Sequence, residues 1–308
     1  MNLFKILLTF SIIYSFSFGQ VKALENKILL KIDNEIITSL DVLNEIEYLK
    51  LINKDLKNIE KKKLFEISKN SIIREKIKII ELRKYIENLE VEEKYADLLI
   101  KDFFERLNIE NKDMFEEFLK KKDLEIDFIK KKIEIEILWN QLIVSKFSKE
   151  IKLDEKKIRD EILKNNIQKE FLLSEIVFNL EDNQKLEEKL LRIKKDIERS
   201  NFSNAALIHS ISNSSNNGGN LGWIKFNSLN KKIKDKIKNT FIGNYTKPIV
   251  IPGGFLILKI EDQRETDVIE NIDKEIEIIK KEIANKQLNQ FSNMYFNKIK
   301  KEIQFNEF

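Results

Sequence analysis

The sequence predicts a mostly α-helical protein with one compact α+β unit embedded in it. Three observations predict this. Six of the seven glycines and both prolines fall between Gly218 and Gly254, and these residues mark turns whose backbone angles others avoid. Outside that stretch, apolar residues recur at three-four spacing on a lysine- and isoleucine-rich background, the period of amphipathic helix. From Gln168 the period shortens, and Phe171 to Leu180 alternates like a strand.

The bulk composition narrows the function classes. With 308 residues and 42% hydrophobic content the chain can form two domains with their own cores. Charged residues reach 35%, but 56 Lys and Arg against 52 Asp and Glu leave only +4. No basic stripe and no aromatic-basic sheet motif accompany that excess, so no nucleic-acid partner is expected. The lysine runs 61–63, 120–122 and 130–132 read as solvated helix faces. The absence of cysteine excludes disulfides, thiolate catalysis and cysteine zinc sites. The single histidine, His209, cannot build a histidine metal cluster, so neither a metal nor a cofactor is expected.

At the N-terminus Lys5 precedes an apolar run from Ile6 to Phe18, too short to span a bilayer. Val21-Lys22-Ala23 offers suitable residues at the −3 and −1 positions. Residues 1–23 therefore read as a secretory signal peptide cleaved after Ala23, with an uncleaved anchor as the alternative. No later stretch approaches 18 apolar residues, so no stable membrane insertion is expected after cleavage.

The elements follow in order. Lys27 to Ile37 carries the break Asp33-Asn34-Glu35 between two apolar runs, which predicts a short hairpin. Thr38 or Ser39 can cap a helix, with Asp41 and Glu45 near its positive end. Further helices are predicted from Ile59 to Leu89, Val91 to Leu107, a short segment ending near Asp123, Leu124 to Ser148, and one capped by Asp154 that ends near Asn165. The compact unit then reads β-α-α-β-α-β-β. Its strands start at Phe171, in Gly218-Gly219-Asn220-Leu221-Gly222-Trp223, at Lys247 and at Phe255; its helices are Asp182 to Ser200, Asn204 to Ser210 and Lys231 to Thr240. Asp267 to Lys301 returns to helix, and Glu302 to Phe305 reads as a last short strand.

Four pieces of this unit, LLSEIVF (172–178), NFSNAALIHSIS (201–212), GGNLGWIKF (218–226) and KPIVIPGGFLILKIEDQRE (247–265), occur in the order and spacing of the parvulin family of peptidyl-prolyl isomerases, which the unit resembles. The flanks, including KIDNEIITSLDV and FIKKKIEIEILWNQLIVSKF (128–147), resemble SurA-type periplasmic chaperones. The resemblance implies a mostly α chaperone module plus an α+β parvulin-like domain, a four-stranded antiparallel sheet flanked by helices. The expected divisions are a signal peptide (1–23), an N-terminal helical domain (24–166), the parvulin-like domain (167–265) and a C-terminal helix (266–308) packed on the N-terminal domain. It also implies a periplasmic protein that binds unfolded or extended polypeptides, outer-membrane β-barrel precursors among them, along a cradle of helices around Leu43 to Leu89, Phe128 to Phe147 and Ile276 to Phe296.

Parvulins place two histidines, a cysteine or aspartate, and a hydroxyl beneath a proline pocket. Carried over by position, the first histidine falls on Glu175, the second on Leu256 and the acid or thiol on Ser212, while the hydroxyl falls near Ile251. His209 matches none of them. The family's catalytic positions thus hold Glu175, Ser212 and Leu256, which points to a degenerate site. Glu175 is read either as a solvated sheet residue or as a new polar anchor. The pocket positions fall on Leu229 and Ile233, with Trp223, Phe226 and Phe255 expected near the same cleft, or else in the core. Two activities remain open: a chaperone that has lost isomerase chemistry, and an active prolyl isomerase with a non-standard site.

Overall fold

The computed structural model describes residues 26–164, 168–181, 183–266 and 271–308. The expected signal peptide lies outside them.

A hairpin of β1 (Ile28–Ile32) and β2 (Glu35–Thr38) leads straight into α1 (Ser39–Ile52). Thr38 caps that helix: its side chain accepts from the Asp41 amide while Asp41 answers the Thr38 amide, so two orphan donors are satisfied at once. After α2 (Lys61–Leu82) come α3 (Glu93–Arg106), α4 (Lys112–Lys120), α5 (Ile126–Phe147) and α6 (Glu155–Lys164). The helix expected to reach Leu89 stops at Leu82, and Ile86, Leu89 and Val91, each partly buried, turn back onto the α2–α5 core instead of continuing the spiral. Asn111 accepts from the amide three residues on, and Asp154 does the same for α6, as side chains that favour helix starts do.

The second sheet begins with β3 (Gln168–Phe178), followed by α7 (Leu186–Arg199), α8 (Phe202–His209), β4 (Asn220–Lys225), α9 (Lys231–Lys238), β5 (Ile249–Ile251) and β6 (Gly254–Thr266). Its order is β4-β3-β6-β5, antiparallel throughout. Side chains alternate across it. One face, with Ile176, Phe178 and Ile257, is covered by α7 and α8 through Ile193, Phe202 and Ala206. The other, with Leu173, Val177, Leu256 and Leu258, packs on α9 through Ile233 and Ile237.

The chain ends in α10 (Ile272–Glu302) and β7 (Phe305–Glu307). β7 pairs with β1, Leu30 opposite Glu307 and Ile32 opposite Phe305, closing a three-stranded sheet β2-β1-β7. It starts later than the sequence suggests because α10 runs on to Glu302. Phe296 and Ile299 of α10 join Ile77, Leu138 and Trp139 in the largest core cluster. Further along, α10 lies over the second sheet. A Cβ on Gly253, at φ +85° in the β5–β6 turn, would come within 2.7 Å of Met294 Cγ, and Lys225 Nζ binds Glu275 at 2.7 Å.

Candidate functional site

Four strands and one helix line a cavity of 240 Å³. Its floor is apolar, built by Leu173 and Val177 on β3, Leu221 and Ile224 on β4, and Leu256 and Leu258 on β6, with Leu229 and Ile251 at the sides. Its roof is α10, and every roof residue is polar: Glu282, Asn285, Lys286, Asn289, Gln290 and Asn293. A helix face packed permanently against an apolar floor would itself be apolar. This face instead offers a charge pair and a row of carboxamides.

Glu175 stands at the centre. It shares a face of β3 with Leu173 and Val177, as alternation requires. Its Oε1 accepts from Ser212 Oγ at 2.6 Å and from Ser214 Oγ at 2.8 Å, and the two hydroxyls are 3.1 Å apart. Both serines sit at the short 3₁₀ turn 213–217. That turn is fastened by Glu175 N donating to Gly219 O at 2.7 Å. Gly219 has φ +80°, and a Cβ there would fall 2.2 Å from Glu175 O, so only glycine fits. Burial pushes the Glu175 carboxyl above its ordinary value, partly offset by the two hydroxyls and by Lys286. Lys286 is drawn down to about 8 by burial, while Glu175 and Glu282 pull in the opposite direction.

The residues singled out from sequence divide. Glu175 and Leu256 line the one cavity, and Ser212 reaches it through its bond to Glu175, lining a 40 Å³ recess that shares Glu175 and Asn289. Leu229 lines the cavity and Ile233, fully buried, backs it. Trp223 and Phe255 do not belong to it. Phe255 pairs with Phe178 in the β3–β6 register and stacks on it at 5.4 Å, on the α7–α8 face. Trp223 lies under the Arg264 guanidinium at 4.1 Å. Phe226 packs against Phe171 at 5.6 Å beside Lys234 and Lys238, at the margin of the same core but outside the cavity. Glu175 is no solvated sheet residue, since two hydroxyls hold it. His209 is spent elsewhere: its Nε2 meets Asp196 Oδ2 at 2.8 Å. Sequence reading missed Ser214 and the α10 roof, although Asn285, Asn289 and Asn293 recur at the four-residue spacing of one helix face.

Chemically, the arrangement offers an apolar floor for a proline or other apolar side chain and carboxamides at the height of a peptide backbone. No imidazole lines it, and the position diagonal to Glu175 is the aliphatic Leu256.

Comparisons with known proteins place these features. The PPIC-type PPIASE (rotamase) domain profile matches residues 148–262. The chaperone SurA of Pseudomonas putida is 25% identical over 163 residues, 49% of this chain and 38% of that protein. The periplasmic chaperone PpiD of Haemophilus influenzae is 32% identical over 77 residues, 25% of this chain and 12% of that one. The chain thus spans well under half the length of either relative. A solved SurA-like chaperone of Campylobacter jejuni aligns with 92% of this chain and 99% of its own at 16% identity, with a TM-score of 0.38. Residues 148–262 therefore carry a PPIC-type, parvulin-type domain, and the chain as a whole is similar to SurA-like chaperones that carry one.

Proposed function

We propose that this protein is an exported, periplasmic holding chaperone that binds extended polypeptide segments, outer-membrane β-barrel precursors among its clients, and that its parvulin-type domain grips chains without isomerising them. The observation that carries this reading is the composition of the 240 Å³ cavity. It keeps the apolar floor a prolyl pocket needs, while the positions that the sequence resemblance assigns to the family's catalytic polar groups hold Glu175, Ser212 and Leu256. Rotation about a prolyl bond faces a barrier of about 18–20 kcal/mol. A buried carboxyl beside a leucine offers little to stabilise the twisted amide. The polar α10 face suits a backbone lying in the slot, because unpaired peptide groups need partners when buried. The exposed Leu40, Leu98 and Val144 on the helical module add apolar contact area outside the slot. The resemblance to exported chaperones and the signal-like N-terminal sequence support the compartment.

Two assays on the mature protein test the proposal. Aggregation of a denatured porin-type protein should be suppressed at equimolar chaperone, and unchanged aggregation overturns the holding role. Isomerisation of prolyl tetrapeptides should run at the uncatalysed rate. Clear acceleration would make Glu175 the polar anchor of an active, non-standard isomerase.

A further inference from the structure

A second and larger cavity, 420 Å³, lies between α2, α8, α10 and the segment after β3. It is separate from the slot over Glu175 and falls within the range of about 300–1,000 Å³ typical of small-ligand pockets. Its wall has two characters. Ile73, Ile77, Leu207, Ile211 and Phe296 make one part apolar. Arg74, Lys189, Lys300 and Lys301 make the rest cationic, and among the described lining residues the only acid is Glu181, which is exposed.

That imbalance is local. Elsewhere half-buried lysines find carboxylates: Lys63 with Asp196, Lys76 with Glu35, Lys225 with Glu275. Here they do not. The Arg74 guanidinium donates to Ser210 O at 2.8 Å, Ser215 Oγ at 2.7 Å and Asn216 Oδ1 at 3.4 Å, all neutral acceptors. Lys189, Lys300 and Lys301 make no hydrogen bond or ion pair within the described residues. Burial lowers the pKa of Lys189 and of Lys300, the neighbouring Arg192 and Arg74 charges lower them further, and the exposed Glu181 offsets this only in part at each. Asn297 Nδ2, also at this cavity, is buried without an acceptor. A buried donor left unpaired costs about 1–3 kcal/mol, so its presence calls for a partner. Burial lowers the pKa of His209, its bond to Asp196 pulls the other way, and Asp196 occupies its Nε2.

We propose that this cavity binds an amphipathic carboxylate, its head held by Arg74, Lys189 and Lys300 with Asn297 donating to it, its apolar part on Ile73, Leu207 and Phe296. Two sources carry that chemistry: a medium-chain carboxylate, and the free carboxy-terminus of a peptide that ends in an apolar residue. The inference does not rest on the slot over Glu175 binding anything.

Calorimetric titration of the full mature chain tests it, with decanoate and decanol as one pair of probes and N-acetyl-Leu-Phe and its carboxamide as the other. At least one carboxylate should bind saturably, at least tenfold tighter than its neutral partner, and more weakly as salt is raised. K189Q/K300Q should lose at least tenfold in affinity while keeping the wild-type circular dichroism and melting temperature. Binding of decanoate alone assigns a lipid-like ligand, and binding of the peptide acid alone assigns a chain end. Amide resonances of Leu207 to Ile211 should move with the ligand. The proposal is overturned if neither carboxylate saturates, if the neutral partners bind equally well, or if the double variant binds unchanged. If K189Q/K300Q does not fold, the salt dependence and the resonance shifts of the wild type decide in its place.

Discussion

Trp139 on α5 and Ser292 on α10 meet across 153 positions of sequence: the indole Nε1 donates to the serine Oγ at 2.8 Å in the buried core. Tyr295 stacks on the same indole at 5.9 Å and Phe296 meets it edge-on at 6.4 Å. This contact fastens the C-terminal helix to the helices before the parvulin-type domain. Ser292→Ala leaves the indole donor unpaired and should cost about 1–3 kcal/mol. Chemical denaturation followed by tryptophan fluorescence reads that loss, and a midpoint within error of wild type would show that the bond contributes nothing.

Lys132 is a buried cation of the helical module. It binds Glu45 at 2.5 Å and Glu75, and its ammonium lies 4.9 Å from the Tyr48 ring and 5.1 Å from that of Phe128. Lys132→Ala strands Glu45 in the core and should cost about 3–5 kcal/mol. Pairing K132M with E45M removes both charges and should recover part of that loss. Urea titration of the three proteins separates a desolvated charge from simple lost packing.

The polar centre of the slot makes an electrostatic prediction. Glu175 holds the Lys286 pKa up against burial, which has already brought it to about 8. Glu175→Gln keeps an acceptor for Ser212 but removes the charge, so the Lys286 pKa should move below about 8. Lysine side-chain NMR titration checks the sign, and an unchanged or raised value would separate the two residues.

His209 sets a pH dependence between the domain's two covering helices and α2. Burial holds its imidazole below the ordinary range, whereas Asp196, shared with Lys63, is held below the ordinary carboxylate range by those two partners despite its burial. The unfolded chain therefore takes up the His209 proton before the folded chain does. This contribution is whole above about pH 6.5 and drains as pH falls below it. The Asp196 contribution goes only nearer pH 4. The buried Glu45, Glu175 and Glu282, all raised, act in the opposite direction over the acid range. The difference between wild type and His209→Gln isolates the histidine: the wild type should lose more melting temperature than the variant between pH 7.5 and 5.5. Parallel losses would dismiss the effect.

Much of this was legible because the signals are local. Thr38 and Asp41 announce a helix start three residues apart, and the glycines locate the turns whose angles need them. Glu175 and Leu256 could be mapped to one place because family spacing preserves strand register. Trp223 and Phe255 could not be assigned by proximity, since parity on a strand decides the face: Phe255 beside Leu256 must point the other way. The α10 roof was out of reach for a different reason. A helix with polar residues at four-residue spacing reads as solvated until the fold lays an apolar sheet beneath it.

The β1–β7 pairing and the adjacent ends of β3 and β6, Gln168 opposite Thr266, have a consequence for how the molecule is made. During vectorial synthesis the sheet of the parvulin-type domain has all its strands once Thr266 has emerged, while the first sheet still waits for its third strand. The halves of the helical module must stay apart until the last segment arrives, with Ile77, Leu138 and Trp139 lacking their α10 cover in the meantime. The chain thus passes through a state in which part of its own core is uncovered, and that state ends when β7 pairs with β1.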